Sequence, residues 1–334
     1  MKTYKNLWDE FISKENFEKA YKNAKKGKNY QRSVREFGED WETKLEALRQ
    51  SVILGTFHTS KYTTKVIYEP KERTIYKLPF NPDRIVQHAI MNVLKPILYR
   101  KFIQNSYACI EGRGQIKASL KCSEYVRKND YCLKCDIKKF YPSISQHKLS
   151  DSFHRFIKDE KFMAIIDDVI FSFDGGYNCP IGNYCSQWFG NFYLTKLDNF
   201  VLHILKPSGY ERYCDDFMLF SKSKEFLHDC RKRIERFLRE KLELEFSRAD
   251  VFNVKQGVDF CGYRHFGKYV LIRKKTAQRL IKRFKKIEKE IDSKEYDRDF
   301  LKAQIASANG LMVHACSGNL RKSIRYDELV ALLG

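Results

Sequence analysis

Arg212-Tyr213-Cys214-Asp215-Asp216-Phe217-Met218-Leu219-Phe220 is the stretch from which the fold of this chain is read. Two adjacent carboxylates between strand-forming residues suit the tip of a tight hairpin, where a bound cation would relieve their mutual repulsion. Alone the pair is weak evidence, because Asp-Asp is common in turns. A second stretch gives it weight. Tyr131-Cys132-Leu133-Lys134-Cys135-Asp136 reads as a buried strand ending in a carboxylate, followed by Ile137-Lys138-Lys139-Phe140-Tyr141-Pro142-Ser143.

Outward from these two stretches the hydrophobic periodicity predicts helices through about Phe171, a Gly175-Gly176 turn, and a helix from about Ser186 to His203. After the Asp215 hairpin come a helix from about Lys224 to Glu243 and a strand near Phe260. Strands and connecting helices then run β, α, ββ, α, β, the split βαβ arrangement of an antiparallel sheet with helices on one face. Upstream, Leu7, Trp8, Phe11 and Ile12 share one helical face and Leu45, Leu48 and Val52 another, ending at Gly55. Lys25, Lys26, Lys28, Arg32 and Arg35 form a basic patch between them, a solvated face or a contact with RNA or a protein partner. Thr63–Tyr68 and Thr74–Leu78 flank Glu69-Pro70-Lys71-Glu72-Arg73, a hairpin signal that puts Lys71 and Arg73 at a tip. Asn81-Pro82 then opens a helix carrying Ile85, Ala89, Val93 and Ile97, with Pro96 as a kink site. The last seventy or so residues are again mainly helical.

Charge narrows the partner. Lys plus Arg number 63 against 42 Asp plus Glu, a formal charge of +21 in 334 residues, and the excess recurs along most of the chain. Such a surface suits a polyanion, and the length excludes a mini-protein. No secretory leader or bilayer-length apolar run is visible, so a cytosolic (cytoplasmic) protein with no membrane association is expected. Cys132 and Cys135 form a lone Cys-x-x-Cys inside a strand-like run, where residues three apart face opposite sides; a zinc site is not expected there. In a split βαβ sheet the Asp136 strand and the Asp215 hairpin lie side by side, bringing Asp136 and Asp215 within reach of shared metals. Oxygen-only ligands favour Mg²⁺, and two such ions about 3.5–4 Å apart would serve nucleotidyl transfer to a 3′-hydroxyl.

Taken together, these ordered motifs resemble those of reverse transcriptases. Asp136 through Tyr141 resembles motif A, Tyr213 through Asp216 motif C, and Cys179-Pro180-Ile181-Gly182-Asn183-Tyr184-Cys185-Ser186-Gln187-Trp188-Phe189-Gly190-Asn191 motif B. Ile181-Gly182-Asn183 followed by Ser186-Gln187 is similar to the enzymes of diversity-generating retroelements. So are Asn105-Ser106-Tyr107-Ala108 with Gly112-Arg113-Gly114, and Gly257-Val258-Asp259-Phe260-Cys261-Gly262-Tyr263. The resemblance covers roughly residues 60 to 320. It departs at Cys261, where Leu is usual, and at Ser247-Arg248-Ala249-Asp250, which replaces a Lys-bearing motif D.

The resemblance implies an α+β right-hand polymerase fold: an N-terminal helical segment over 1–55, fingers over 56–110 and 142–180, a ferredoxin-like palm over 111–141 and 181–265, and a helical thumb over 266–334. It implies catalytic Asp136, Asp215 and Asp216, with Ile137 beside them in the set holding two Mg²⁺, Mn²⁺ being the alternative ion. Nucleotide contacts would come from Lys71, Arg73, Tyr141 at the nucleotide 2′ position, Ile181, Gly182 and Gln187. Primer and template contacts would come from Arg113, Gly114, Tyr213, Phe260, Gly262, Tyr263, and from Arg279, Lys282, Arg283 and Lys286 on a thumb helix whose apolar face is Ala277, Leu280, Phe284, Ile287 and Ile291. Expected partners are a template RNA, a DNA primer or cDNA strand, deoxynucleotides and a small basic accessory protein. The expected activity is error-prone copying opposite template adenines. The alternatives are a reverse transcriptase of a phage-defence system, retron or group II intron, and a non-catalytic nucleic-acid-binding protein.

Overall fold

The computed structural model describes residues 2–68, 72–293 and 296–333. The strands, in chain order, are β1 (Thr63–Ile67), β2 (Arg73–Lys77), β3 (Tyr131–Ile137), β4 (Gly209–Tyr213), β5 (Asp216–Ser221), β6 (Phe246–Asn253), β7 (Val258–Phe260), β8 (Tyr263–His265) and β9 (Val270–Ile272). They form a β1–β2 hairpin, a four-stranded sheet in the order β4-β5-β3-β6, and a three-stranded sheet β7-β8-β9.

The four-stranded sheet is the expected split βαβ, with β3 inside, next to the hairpin strand β5. Its register runs from Tyr131 opposite Ser221 to Cys135 opposite Phe217. Cys132, Leu133, Cys135 and Phe217 through Phe220 are wholly buried, a continuous apolar run that needs cover on both faces. The fourth strand differs from expectation. It is β6, and the strand near Phe260 belongs to the separate three-stranded sheet. The reason is the polar character of Ser247, Arg248 and Asp250: an edge strand with no fully buried residue lacks the apolar alternation that marks a strand in sequence. Backbone bonds from Lys138 N–H to Glu245 O (2.9 Å) and from Val254 N–H to Asp130 O (2.9 Å) flank its pairing with β3.

The chain divides into two compact units, one of residues 1–104, 136–205 and 232–248, the other of 105–135, 206–231 and 249–334. Strand β3 passes from the second into the first after Cys135.

In the first unit, helices Trp8–Ile12, Lys14–Lys25, Arg32–Gly38 and Trp41–Ile53 bury Phe11, Phe17, Ala20, Leu45, Leu48 and Val52, the stripes read from the sequence among them. Ser13 caps the second of these helices by accepting from Asn16 N–H. Helix Ile85–Tyr99 is buried on most sides, and Pro96 lies within its last turn, where few downstream residues need a helical partner. Asn16 fastens to it by donating its side-chain amide to Phe11 O (2.8 Å) and Ala89 O (3.2 Å). The β1–β2 hairpin is joined to the motif B loop by one bond, Tyr76 N–H to Ile181 O at 2.7 Å. Next to it Gly182 has φ +126°, and a Cβ there would lie 2.0 Å from the carbonyl oxygen of Tyr76. No side chain fits that contact or that dihedral.

In the second unit, helix Gln115–Lys128 places Ala118, Cys122 and Val126 against Cys132, Met218, Phe220 and Phe260. A further core joins Leu280, Phe284 and Ile287 of helix Lys274–Asp292 to Leu301, Ile305, Ala308 and Met312 of helix Arg298–Met312 and to Leu329 and Leu333 of the last helix. The apolar face read from the sequence for helix Lys274–Asp292 is therefore a packing face.

Two buried histidines give the fold an acid limb. Burial pushes His265, bonded through Nδ1 to Ser123 Oγ (2.9 Å), down to about 4, and pushes His88, stacked on Tyr184, down to about 3. Both are neutral in the fold while an unfolded histidine protonates near 6.5, so their contribution is complete above about pH 6.5 and is lost as pH falls toward 4. Each histidine supplies a slope of at most about 1.4 kcal/mol per pH unit in that window. His265→Asn should flatten the fall in urea-unfolding free energy between about pH 6.5 and 4; an unchanged slope would refute the assignment. Gly182→Ala, by contrast, should lower stability by at least about 2 kcal/mol at any pH, measured as a shift in the urea midpoint at constant slope.

Candidate active site

The hairpin β4–β5 turns on two corner residues, Cys214 and Asp215, between the closing pair Tyr213 and Asp216. Cys214 takes φ +60° at the first corner position, a dihedral that hairpin corners of this length require and that a cysteine adopts at some cost. Arg212 holds this corner from beneath. It is wholly buried and its Nη1 donates to Cys214 O at 3.0 Å. Its backbone is clasped as well: Arg212 N–H donates to Asn105 O (2.9 Å) and Tyr107 N–H to Arg212 O (3.0 Å). The Asn105-Ser106-Tyr107 segment is thus an extra strand-like brace for the aspartate hairpin. Arg113 braces the brace, its Nη1 donating to Ser106 O at 2.9 Å, and Gly114, at φ +123°, starts helix Gln115–Lys128. Neighbouring Glu211 is buried beside the Cys122 thiol, and burial raises its carboxyl pKa well above the usual value by penalising the charged form.

Asp216, the second acid, forms an ion pair with Lys134 at 3.2 Å. Lys134 also donates to the backbone carbonyl of Asp259, which precedes Phe260 on β7. The β7–β8 hairpin closes on Cys261-Gly262, both with positive φ (49° and 86°), the corner geometry for which glycine is suited. Phe260 and Tyr263 are buried, so their rings anchor the hairpin and the Cys261-Gly262 corner is what it presents. Gln115 supports that corner by donating to Cys261 O. Tyr213, half-buried, sets its ring edge-on to Phe260.

In the first unit Asp136 is half-buried near the end of β3, and Ser247 Oγ donates its single proton to the Asp136 carboxylate, with the Asp136 backbone carbonyl 3.2 Å away as a shared acceptor. Ser247 stands in the segment that departs from motif D, so the departure supplies a hydroxyl to the motif A acid. Ile137 is buried directly after it. Tyr141 lies in the short helix Phe140–Ser143 and accepts from Cys179 N–H at 2.9 Å through its carbonyl. A Cβ on Gly190 would lie 3.0 Å from the Tyr141 ring, so the glycine of motif B is what lets the ring settle against helix Ser186–Tyr193. Ile181 is half-buried, Gln187 is exposed on that helix, and Arg73 is exposed at the start of β2; Lys71 lies outside the described residues.

The basic patches separate into two kinds. Arg32 pairs with Glu36 at 2.6 Å on the surface, whereas Lys28 and Arg84 line a cavity of about 760 Å³ with Phe37, Tyr76 and Gly182. Burial and the Arg84 charge lower the Lys28 pKa. On helix Lys274–Asp292, Arg279 and Lys282 are exposed, Lys286 is exposed and paired with Glu290 at 3.4 Å, and Arg283 donates to Gln304 at 2.9 Å.

Among the described residues no group of three His, Cys, Asp or Glu side chains could hold a metal ion unaided. The acids of these motifs offer hard oxygen donors, which suit a cation that keeps waters and takes further oxygens from a triphosphate. Four supporting residues were not assigned from sequence: Arg212, Ser247, Lys134 and Gln115. Lys134 alone had a usable signal, being two residues from Asp136 on a strand and hence on its face.

Residues 69–265 match the family model described as reverse transcriptase (RNA-dependent DNA polymerase). A stretch of 178 residues is 28% identical to the Retron Ec73 reverse transcriptase of Escherichia coli, covering 48% of this chain and 54% of that protein. The chain thus spans about half the length of the curated relative it matches. Among solved structures, apo telomerase from Candida tropicalis shares 13% identity at a TM-score of 0.49, over 64% of this chain and 48% of that one. Telomerase from Candida albicans with a fragment of telomeric RNA shares 13% at 0.49, over 72% and 50%. No helix among the described residues is long and apolar enough to cross a membrane. With more than half of its length under that family model, and with an α+β right-hand polymerase fold built on a split βαβ sheet, the chain belongs to the reverse transcriptase family.

Proposed function

We propose that this protein is an RNA-directed DNA polymerase that extends a 3′ end by deoxynucleotides along an RNA template. One observation carries the reading. The β3–β5 register ends at Cys135 opposite Phe217, and the residue following Cys135 and the residue preceding Phe217 are both aspartates, with Asp215 next at the hairpin corner. Asp136 and Asp215 are the principal acids, Asp216 and Ile137 their neighbours. Divalent ions bound there, Mg²⁺ or alternatively Mn²⁺, would supply charge neutralisation and a more acidic 3′-hydroxyl.

The chain's own residues do the rest. Arg212 fixes the corner that carries Asp215, and Ser247 orients the Asp136 carboxylate. Tyr141, seated against Gly190, screens the nucleotide 2′ position. Arg73 and, by the family motif, Lys71 are assigned to the triphosphate, a place where cations stabilise developing charge. Gly182 and Gln187, with Ile181, form the surface beneath the templating pair. The Cys261-Gly262 corner supports the primer strand, and Arg279, Lys282, Arg283 and Lys286 follow the backbone of the hybrid duplex through its phosphates. The template RNA, a DNA primer or cDNA strand and deoxynucleotides are the partners, with a small basic accessory protein beside them and the cytoplasm as the compartment.

For the biological role we infer error-prone copying in a diversity-generating retroelement, supported by the Ile181-Gly182-Asn183 and Ser186-Gln187 pattern. Ile181 cannot supply the hydrogen bonds a glutamine would, which favours tolerance of mispairs. A second reading, a retron-type enzyme, is favoured by the likeness to the Escherichia coli retron protein.

Asp215→Ala should reduce primer extension on an RNA template at least about a hundredfold while RNA binding stays within about twofold; retained synthesis would refute the assignment of Asp215. Deep sequencing of cDNA separates the two roles. Wild type should misincorporate opposite adenine, and Ile181→Gln should lower that rate by about tenfold. Equal, low error at all four bases in both proteins would favour the retron reading.

A further inference from the structure

We infer that Lys134 is a positioning residue: it ties the carboxylate of Asp216 to the backbone of β7, so that the corner of the aspartate hairpin and the Cys261-Gly262 hairpin move as one piece. Lys134 sits in the interior of β3, opposite Met218 of β5. Its side chain is only 14% exposed, which is unusual for lysine, and its Nζ lies 3.2 Å from Asp216 Oδ2. The same ammonium donates to Asp259 O and stands 5.8 Å from the centroid of the Phe260 ring. An ammonium has three donors. Two are directed at groups on two different hairpins, and the aromatic face shields the stem.

The competing partner is accounted for. The Asp259 carboxylate lies 4.0 Å from Arg264 and 3.8 Å from Arg273, so only the main chain of Asp259 is held by Lys134. Asp216 is therefore the one carboxylate that compensates this lysine among the described residues, at 31% exposure, where a lone charge on either side would be costly. The link has a consequence for the proposed reaction, on which this part of the inference rests. Through Lys134, Asp216 registers the β7–β8 corner, and with it a primer end, against the aspartate hairpin.

The test is a double-mutant cycle read in two ways. In steady-state extension, Lys134→Met should raise KM for the primer terminus about tenfold with kcat within about threefold, and Lys134→Arg should recover KM to within about twofold, because the arginine keeps the charge and reach. Because Asp216→Asn removes a proposed acid, that background is read by equilibrium binding of the primer–template, where adding Lys134→Met should change Kd by less than about twofold, against about tenfold when Asp216 is present. The second readout needs no polymerase activity. Lys134→Met should lower the urea midpoint, and Asp216→Asn in the same chain should bring back at least about half of the loss. If Lys134→Met does not fold, recovery of folded protein in the double variant supports the link and an equally unfolded double variant overturns it. Independent effects of the two substitutions on Kd and on the midpoint, or a Lys134→Arg protein as impaired as Lys134→Met, overturn it as well. A wild type without extension activity would refute the polymerase reading and leave the link to be decided by the urea cycle.

Discussion

The pairing of β3 with β5 is the interaction on which the other features lean. Five consecutive register pairs bring Tyr131–Cys135 against Phe217–Ser221, and the side chains between are almost all buried. Burying a large apolar side chain contributes about 1.5–3 kcal/mol, so this pair of strands is held far more firmly than the loops beyond its end. Because side chains alternate strictly along a strand, a slip of one residue would carry Cys132 and Phe220 to the opposite face, undo the packing on both faces of the sheet and shift the terminal acids with them. The apolar strands thus fix where the aspartates stand, and the Lys134–Asp216 ion pair adds one polar tie between the same two strands.

Around that pair the molecule invests its polar chemistry in orientation. Arg212, a fully buried cation, is held by its own hairpin and by the Asn105–Tyr107 segment. Ser247 addresses Asp136, Lys134 addresses Asp216, and Gln115 addresses the Cys261-Gly262 corner. Neighbouring acids repel one another, and fixed donors of this kind restrain their orientation. The positive φ of Cys214 belongs to the same pattern of local cost at a corner that has to present a carboxylate.

The first unit shows how a packing glycine can serve a site. At Gly182 the backbone of β2 comes closer than any side chain permits, and at Gly190 the Tyr141 ring does nearly the same. Both glycines lie in motif B, and both replace side-chain volume with a neighbouring element that carries a proposed nucleotide contact. The cavity of about 760 Å³ edged by Gly182 brings Lys28 of the N-terminal patch beside Arg84, where burial first and then the neighbouring like charge lower the Lys28 pKa.

Several of these features were legible in the chain as written. The Asp215 hairpin, the β3 strand ending near Asp136, the amphipathic helix Lys274–Asp292 and the N-terminal stripes follow from local periodicity, which depends only on near neighbours and on what each residue does to its own backbone. Other features needed the folded molecule. That Ser247-Arg248-Ala249-Asp250 is the fourth strand of the sheet could not be read, since a half-exposed edge strand has no apolar alternation and takes its conformation from β3. The partners of Arg212, Lys134 and Ser247 were equally hidden, because a contact between residues 107, 111 or 125 positions apart leaves no local trace. Sequence determined which acids terminate which strands; tertiary structure alone decided what restrains them, because hydrogen-bond partners are set by distance in space and not along the chain.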